Sequence, residues 1–355
     1  MKTETRDLFK GLAFISPWLI GFMVFTALPI VLSFYFSLTD YSLLKGPLFI
    51  GLANYRDLLG DPVFRHSLWI SLIYAALALP LGLFIALGVA MLLNAPIRGK
   101  SIYRTIVFLP SLVPAVASAM LWMWLFNTKL GLINLSISAV PGVAWVALLA
   151  LVVIVLAGLV LMYSERRSAG KPLLVASPLL AIVFAFGVAL LATRGTDTGV
   201  WNWYFAGPGW LTEPSWALPA IVLMSFWGVG NTVVIFLAGL QDVPRELYEA
   251  ADIDGAGVMR QVFSVTLPML SPVIFFNLIM AIIGSLSLFV GPLILTGGGP
   301  ARATYFYTLN LYDNGFNFLK MGYASAMAWV QLLIVLFLTL VAFWTSKHWV
   351  HYQGK

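Results

Sequence analysis

The stretch Gln241–Pro268, QDVPRELYEAADIDGAGVMRQVFSVTLP, is a polar run between two apolar segments of membrane-spanning length, and the rest of the chain is organised around it. Asp242 suits a helix N-cap, and Pro244 suits the first turn, where a missing N–H leaves no bond unmade. Gly255 suits the C′ position just past a helix end. We therefore predict a short helix up to Gly255, followed by a second one over about Val258–Val265.

The first of these helices has one small apolar face. Val243, Leu247, Ala250 and Ala251 fall at i, i+4, i+7 and i+8, so they share that face. Adjacent alanines permit another protein to approach closely, and a glycine permits the chain to reverse sharply. The pattern indicates a docking surface.

The spacing of these residues resembles a known signature. Glu249-Ala250-Ala251, three residues, Gly255, nine residues and then Val265-Thr266-Leu267-Pro268 resemble the EAA loop of ATP-binding-cassette importer permeases, with Val265 in place of the usual isoleucine. The flanking segments Ile235–Gln241 and Ile253–Ala256 resemble the sugar-permease branch, the relatives of the maltose-type large permease subunit. The resemblance implies that an ATPase subunit is contacted by Leu247, Glu249, Ala250, Ala251 and Gly255.

The composition places the chain in the membrane class. Of its 355 residues 61% are hydrophobic and 10% are charged, whereas soluble domains carry about 25% charged residues. There is no cysteine, which excludes disulfides, iron–sulfur clusters and thiol catalysis. The three histidines form no metal-ligand pattern, so no metal and no cofactor are expected. The net charge of +6 comes from basic residues that flank apolar segments, so we predict a lipid bilayer and no nucleic acid as partner.

Eight apolar segments of about 20 residues predict membrane spans. The first is too long for the apolar region of a signal peptide and lacks a cleavage site, so it is expected to remain. The spans are Leu12–Leu38, Leu68–Leu93, Thr105–Phe126, Val143–Met162, Leu173–Ala192, Trp216–Gly239, Pro268–Leu293 and Gly322–Thr345.

The basic residues predict the orientation of these spans. With the amino terminus inside, 13 of the 20 Lys and Arg residues fall in internal connections. Cytoplasmic loops carry such an excess. Both termini and the 241–267 loop are therefore predicted to be cytoplasmic, in a multi-pass protein of the cell membrane.

Two of the eight spans are predicted to be an insertion. Gly131–Asn134 and Gly209–Leu218 resemble family segments that normally lie close in sequence, and residues of about 139–206 separate them. The expected fold is an all-α polytopic membrane protein, with a six-helix permease core and a two-helix insertion. The predicted parts are a first span and external loop (1–65), a transmembrane permease domain (66–346) and a cytoplasmic tail (347–355).

The predicted spans contain no Asp, Glu, Lys, Arg or His. Such residues mark ion or proton coupling, so their absence disfavours the alternative of a cation-coupled secondary sugar transporter. It also disfavours a membrane-embedded enzyme, which needs catalytic polar groups. Arg98–Ser101 lacks the glycine and the strand of a phosphate-binding loop, so ATP is expected to bind partner subunits.

Neutral polar and aromatic side chains suit a hydroxyl-rich solute. In maltose-type permeases the helices before and after the EAA loop supply sugar contacts, and this resemblance implies two sets of four residues. Each set is spaced i, i+3, i+4, i+7, which predicts one helix face; packing between helices is an alternative role for the small residues. The sets are Met224, Trp227, Gly228 and Asn231, and Ala281, Gly284, Ser285 and Leu288.

The resemblance implies the permease subunit of an ATP-driven, binding-protein-dependent importer of sugars or oligosaccharides. The chain would form half of the translocation pathway and would not be an enzyme. The implied partners are a second, related permease subunit, a dimer of ATP-binding-cassette ATPases and an external solute-binding protein.

Overall fold

The computed structural model describes residues 2–95, 99–134 and 208–351, and for residues 2–9 it describes the backbone alone. Within these ranges the chain is helical apart from one short β-hairpin. The predicted insertion at 139–206, with its two spans, lies outside the described residues.

Four described helices are long and apolar enough to cross a membrane, and two bent pairs raise the number to six if each pair is one span. They coincide with the six predicted core spans, so an all-helical membrane protein is confirmed while the count of eight stays a prediction. The continuous helices are Lys10–Ser37, Pro62–Asn94, Val258–Leu295 and Met321–Ser346. The bent pairs are Lys100–Leu112 with Ala115–Leu125, and Pro214–Trp227 with Gly230–Gln241.

The described elements follow the chain in this order: α1 (Lys2–Phe22), a π turn (Met23–Ala27), α2 (Leu28–Ser37), β1 (Thr39–Ser42), β2 (Lys45–Phe49), α3 (Ala53–Gly60), α4 (Pro62–Asn94), α5 (Lys100–Phe108), a 3-10 turn (Leu109–Leu112), α6 (Ala115–Leu125), α7 (Pro214–Trp227), α8 (Gly230–Gln241), α9 (Arg245–Ile253), α10 (Val258–Gln261), a π turn (Val262–Thr266), α11 (Leu267–Leu286), α12 (Val290–Leu295), α13 (Tyr307–Tyr312), a π turn (Asp313–Asn317) and α14 (Met321–Ser346).

The chain divides into two compact units. The first consists of residues 1–72 and 305–340, and the second of residues 73–304 and 341–355. These units group segments by their packing, so each joins an end of the chain to internal segments. The three parts predicted from the sequence, 1–65, 66–346 and 347–355, are consecutive stretches of the chain, and this division remains a prediction. Each unit has a core of its own.

In the first unit a β-hairpin follows directly on the first span. β1 and β2 are antiparallel, with Thr39 opposite Phe49 and an irregularity between Asp40 and Ser42. The buried side chain of Asn54 donates hydrogen bonds to the carbonyls of Ser37 and Thr39, each at 2.9 Å. The amide thus satisfies carbonyls that the end of a helix leaves without intrahelical partners.

A buried polar network joins α4 to α13 in the same unit. The Ser71 hydroxyl accepts a hydrogen bond from the Tyr307 backbone N–H at 2.9 Å, and the Ser67 hydroxyl accepts one from the Asn310 amide at 3.0 Å. The Tyr307 hydroxyl donates to the Met327 carbonyl at 2.7 Å, and burial raises the pKa of that hydroxyl. Each buried polar group named here therefore has a partner, as burial requires.

The core of the second unit lies between α4, α8 and α11. Small and large apolar side chains alternate there, so that the helices approach closely. Its buried residues are Ala86, Ala90, Leu93, Val233, Phe236, Leu237, Leu240 and Leu270. This packing holds α8, and with it the start of the 241–267 loop, against the membrane-spanning helices.

Candidate coupling loop and solute pathway

The first helix of the loop is α9, Arg245–Ile253, and it begins later than predicted. Pro244 is its N-cap, with φ −58° and ψ 133°. Asp242 is instead the C-cap of α8, and its N–H bonds to the Ala238 carbonyl at 3.2 Å. The extended ψ at Pro244 separates Val243 from the helix, so the predicted N-cap and the membership of Val243 in the exposed face are wrong. Val243 is 7% exposed and packs inward.

The end of α9 agrees with the prediction. Gly255 has φ +69°, the left-handed conformation that a C′ residue adopts. Its N–H bonds to the Asp252 carbonyl at 3.1 Å, and the Ala256 N–H bonds to the Ala251 carbonyl at 2.9 Å. These two bonds form a Schellman motif, which satisfies carbonyls at the helix end.

One face of α9 is fastened to the helix that follows it. The Tyr248 hydroxyl hydrogen-bonds the Thr266 hydroxyl at 3.0 Å. The Gln261 amide, buried at 3% exposure, donates to the Asp252 carboxylate and, at 3.0 Å, to the Ala256 carbonyl. Sequence reasoning missed Tyr248, Gln261 and Thr266, because their bonds join two different helices across a turn, and a pattern within one helix does not show them.

The opposite side of α9 is open. Leu247 is 39% exposed and Ile253 is 87% exposed, and Ala250 is exposed beside them. Glu249 and Gly255 are exposed as well, while Ala251 is half-buried at the edge of this side. Exposed apolar side chains grouped on one side of a helix mark a candidate interaction site, whereas a single one would not. The amphipathic period of α9 would have pointed to Ile253, which sequence reasoning left out.

The second predicted helix of the loop does not end before Pro268. α10, a π turn and α11 follow one another without a break from Val258 to Leu286, and together with α12 they form one candidate span, Val258–Leu295. Pro268 directly follows the π turn Val262–Thr266, where the regular i→i−4 hydrogen bonding is already interrupted. No coil therefore separates α10 from the membrane-spanning α11.

The predicted pathway face before the loop is interrupted in the structure. α7 ends at Trp227, Gly228 is its C-cap, and α8 begins at Gly230 with a bend of 47°. Met224 and Trp227 thus belong to one helix and Asn231 to another, so these four residues do not form one straight face. Gly228 and Asn231 are exposed, and Met224 and Trp227 are half-buried.

The predicted face after the loop is shorter than expected. Ala281, Gly284 and Ser285 lie on α11, but the helix ends at Leu286 and Leu288 is outside it. The Ser285 hydroxyl is 8% exposed and donates to the Ile282 carbonyl at 3.0 Å, so it is internally bonded. Gly284 is exposed, and a Cβ added to it would meet nothing within 4 Å among the described residues.

Close helix packing occurs at a glycine that the sequence reasoning did not single out. A Cβ on Gly230 would lie 2.6 Å from the Val107 carbonyl oxygen and 3.0 Å from the Phe108 Cα. A Cβ on Gly228 would meet nothing nearer than 3.8 Å. Gly230 therefore permits close packing between helices, the alternative role considered for the small residues. Among the described residues, Gly228 and Gly284 make no such close contact.

The fold combines membrane-spanning helices, two of them bent in the middle, with a short surface helix that is hydrogen-bonded to the following span. This combination defines a membrane-embedded permease. The chain matches the family described as "Binding-protein-dependent transport system inner membrane component" over residues 170–349. It is 35% identical to the probable ABC transporter permease protein YesP of Bacillus subtilis, covering 99% of this chain and 94% of that one. It is 31% identical to the trehalose/maltose transport system permease protein MalF of Thermococcus litoralis, covering 96% and 94%.

A solved structure shares the fold. A chain of a bacterial ABC transporter involved in the import of the acidic polysaccharide alginate superposes with a TM-score of 0.68, at 20% identity, over 98% of this chain and 97% of that chain.

The protein belongs to the family of binding-protein-dependent inner membrane permeases. It is a non-catalytic subunit of an ABC transporter, embedded in the inner membrane by several spans. The expectation of a permease without a cofactor of its own agrees with this membership.

Proposed function

We propose that this chain is a permease subunit of an ATP-driven sugar or oligosaccharide importer, and that α9 docks into an ATPase subunit. The exposed side of α9, with Leu247, Ala250 and Ile253, carries the proposal. That side is apolar, with the small side chain of Ala250 at its centre. The other face of α9 is hydrogen-bonded to the following helix of the same chain. A short helix with such an exposed apolar face is suited to bind in a groove of a partner protein, here the ATPase subunit.

The bonds behind α9 supply a route for coupling. Tyr248 joins α9 to Thr266, and Gln261 joins α10 to Asp252. Because α10 continues into α11 as one helix, a movement of α9 by the ATPase would tilt Val258–Leu295. The two partner ATPases bind and hydrolyse ATP, and the permease converts their closure into a change of access.

The solute is proposed to be a sugar. The trehalose/maltose relative, 31% identical along nearly the whole chain, supports a carbohydrate. The neutral side chains at the bend between α7 and α8 support a solute without charge. A second, related permease would complete the pathway, and an external binding protein would deliver the sugar.

The energy source tests this function. In proteoliposomes that hold the complete transporter, uptake of radiolabelled maltose should require ATP and should survive collapse of the proton and sodium gradients. Uptake that follows an ion gradient and ignores ATP would show a secondary transporter instead.

Docking and orientation can be tested together because the chain has no cysteine. Leu44, in the β1–β2 hairpin that we predict to be external, is 81% exposed, and Ile253 is 87% exposed. An impermeant thiol reagent should label Leu44→Cys in intact cells and Ile253→Cys only in inside-out vesicles. Added ATPase subunits should then shield Ile253→Cys but not Leu44→Cys. Labelling of Ile253→Cys from outside would contradict both the orientation and the docking.

A further inference from the structure

The chain after the last membrane-spanning helix turns back onto the helix that follows the 241–267 loop. α14 ends at Ser346, and the turn after it brings Trp349 and His351 against α11. The His351 backbone N–H donates to the Ser271 hydroxyl at 2.8 Å, and the Trp349 ring meets the Phe275 ring edge to face, with centroids 6.0 Å apart. We call Ser271, Phe275, Trp349 and His351 the C-terminal contact.

The C-terminal contact is buried on the side of α11 and lies within the second compact unit. Ser271 is 3% exposed and Phe275 is 6% exposed. The ring of Phe343, near the end of α14, also meets the Phe275 ring edge to face, with centroids 4.9 Å apart. Beyond the helix the Val350 N–H bonds to the Ser346 carbonyl at 2.9 Å, which folds the following residues into a compact turn.

The contact falls where α11 lacks regular helix hydrogen bonds. Pro272 has no N–H, so the Pro268 carbonyl one turn earlier loses its helical partner. The Ser271 hydroxyl donates to that carbonyl at 2.6 Å, and its oxygen accepts the His351 N–H. The π turn Val262–Thr266 interrupts the regular bonding directly before α11. The start of α11 is therefore weakened within the helix and stabilised from outside it by the end of the chain.

The same short stretch receives the attachment of α9. Tyr248 of α9 bonds to Thr266, and Ser271 lies five residues further on, about 7.5 Å along a helix. Helices bend at prolines and at π turns, where hydrogen bonds are missing. A movement imposed at Thr266 therefore reaches the rest of α11 only if the start of that helix keeps its shape.

We propose that the C-terminal contact keeps the start of α11 rigid, and that Ser271 and Trp349 are positioning residues for the transmission of movement from α9 into the membrane. The proposal rests on the proposed docking of the ATPase at α9. It gives a role to the end of the chain, and it requires that this end and α11 move together throughout the transport cycle.

The first test fixes the contact covalently in a protein that has no cysteine of its own. The 2.8 Å bond places the Cα atoms of Ser271 and His351 within roughly 7 Å, and disulfides join Cα atoms about 4.4–6.8 Å apart. Ser271→Cys/His351→Cys should therefore form a disulfide under mild oxidation of the purified permease. In the matched control, Val273→Cys/His351→Cys, no disulfide should form, because Val273 packs against α8. A disulfide in neither pair would overturn the proposal.

The same disulfide distinguishes a permanent support from a contact that must open. The complete transporter with the Ser271→Cys/His351→Cys disulfide should hydrolyse ATP and import maltose at the rates of the reduced protein. Hydrolysis and uptake that stop on oxidation and return on reduction would show that the end of the chain has to leave α11, which would overturn the proposal.

The second test measures transmission without reference to the solute. Met280, further along α11, is 54% exposed, so a bimane label on Met280→Cys can report movement of that helix when ATP is added to the complete transporter. Trp349→Leu removes an edge-to-face aromatic pair and should reduce the ATP-dependent change in fluorescence about two- to tenfold, with normal binding of the ATPase. Trp344→Leu is the matched control, because Trp344 is 68% exposed and lies outside the contact. Its fluorescence change should be normal.

The outcomes separate this proposal from the one on which it rests. If ATP leaves the Met280 probe unchanged in the otherwise unaltered transporter, the proposed docking fails and the role of the C-terminal contact falls with it. If the response is present and Trp349→Leu does not reduce it, the docking stands and the C-terminal contact is overturned.

Rescue separates a positioning role from misfolding of the variant. The Ser271→Cys/His351→Cys disulfide, formed in the Trp349→Leu protein before the Met280→Cys label is attached, should restore the response to ATP. A restored response supports the proposal. A response that stays low with the disulfide in place would mean that Trp349→Leu damages the protein elsewhere, and it would overturn the proposal.

Discussion

Gly228 and Gly230 are two residues apart, and their surroundings differ. At Gly230 the backbone of α5 occupies the place of a Cβ, with the Val107 oxygen 2.6 Å away, while at Gly228 the nearest atom is 3.8 Å away. Backbone atoms cannot rotate aside as a flexible side chain can.

Gly230→Ala should therefore destabilise the protein, whereas Gly228→Ala should not. Overpacking of a close contact destabilises by about 1–3 kcal/mol. The detergent-solubilised Gly230→Ala variant should melt several degrees lower, and Gly228→Ala should melt with the original protein. Equal melting temperatures for the two variants would show that the helices are not in contact at Gly230.

Gly255 is required for a different reason. Among the described residues no atom lies within 4 Å of its Cβ position, but its φ is +69°. Gly257 has equally open space, with φ −65°. A side chain in the left-handed region is unfavourable by about 1–2 kcal/mol, which changes an equilibrium by a factor of roughly 5–30.

Gly255→Ala should thus weaken binding of the ATPase subunit to the permease, as measured by titration in detergent, while Gly257→Ala should leave it unchanged. Equal weakening by the two changes would point to the space around the loop, and not to the backbone conformation of Gly255, as the requirement.

At the scale of elements, the attachment of α9 to the following helix can be weakened without altering the exposed side that we propose docks the ATPase. Tyr248→Phe removes one hydrogen bond, to Thr266, and keeps the ring. If this bond transmits movement from α9 to Val258–Leu295, the variant should bind the ATPase with normal affinity. It should hydrolyse ATP in the complex but import less maltose per ATP.

The matched control is Thr345→Val, which removes hydrogen bonds from a hydroxyl to its own helix in α14. Its ratio of uptake to hydrolysis should be normal. An unchanged ratio for Tyr248→Phe would exclude the Tyr248–Thr266 bond from the coupling.

At the scale of the whole molecule, the predicted insertion begins and ends at one place. The buried Asn134 amide donates to the Pro208 carbonyl at 3.3 Å, and its oxygen accepts from the Trp210 indole at 2.7 Å. The chain therefore leaves at Asn134 and is back within hydrogen-bonding distance at Pro208. A short connection can replace the residues between them, because closing a short loop carries a modest entropic cost.

A chain that joins Ser138 directly to Gly207 should insert its remaining spans normally and keep its sugar specificity, with lower expression. Labelling of Leu44→Cys and Ile253→Cys in the shortened chain would show whether its spans enter the membrane normally. Competition between sugars in the uptake assay would show its specificity. Normal membrane insertion with an altered specificity would place residues 139–206 in the pathway, which we do not expect because their sequence is mostly apolar and offers few groups that could bond a sugar.

The class of protein, the six core spans and the position of the loop could all be predicted from the amino-acid sequence. The length of an apolar segment depends on local composition, and the bilayer responds to composition directly. Gly255 was predicted to end α9 because a left-handed C′ residue is a local requirement that glycine meets.

Which residues meet could be learned only from the packed chain. The break between α7 and α8 interrupts a face that was predicted to be straight, and the packed backbone brings Gly230 against Val107. Tyr248 and Thr266, or Asn134 and Pro208, are too far apart in sequence for a periodic pattern to join them. Hydrogen bonds between distant residues depend on how helices pack, and packing is a property of the whole chain.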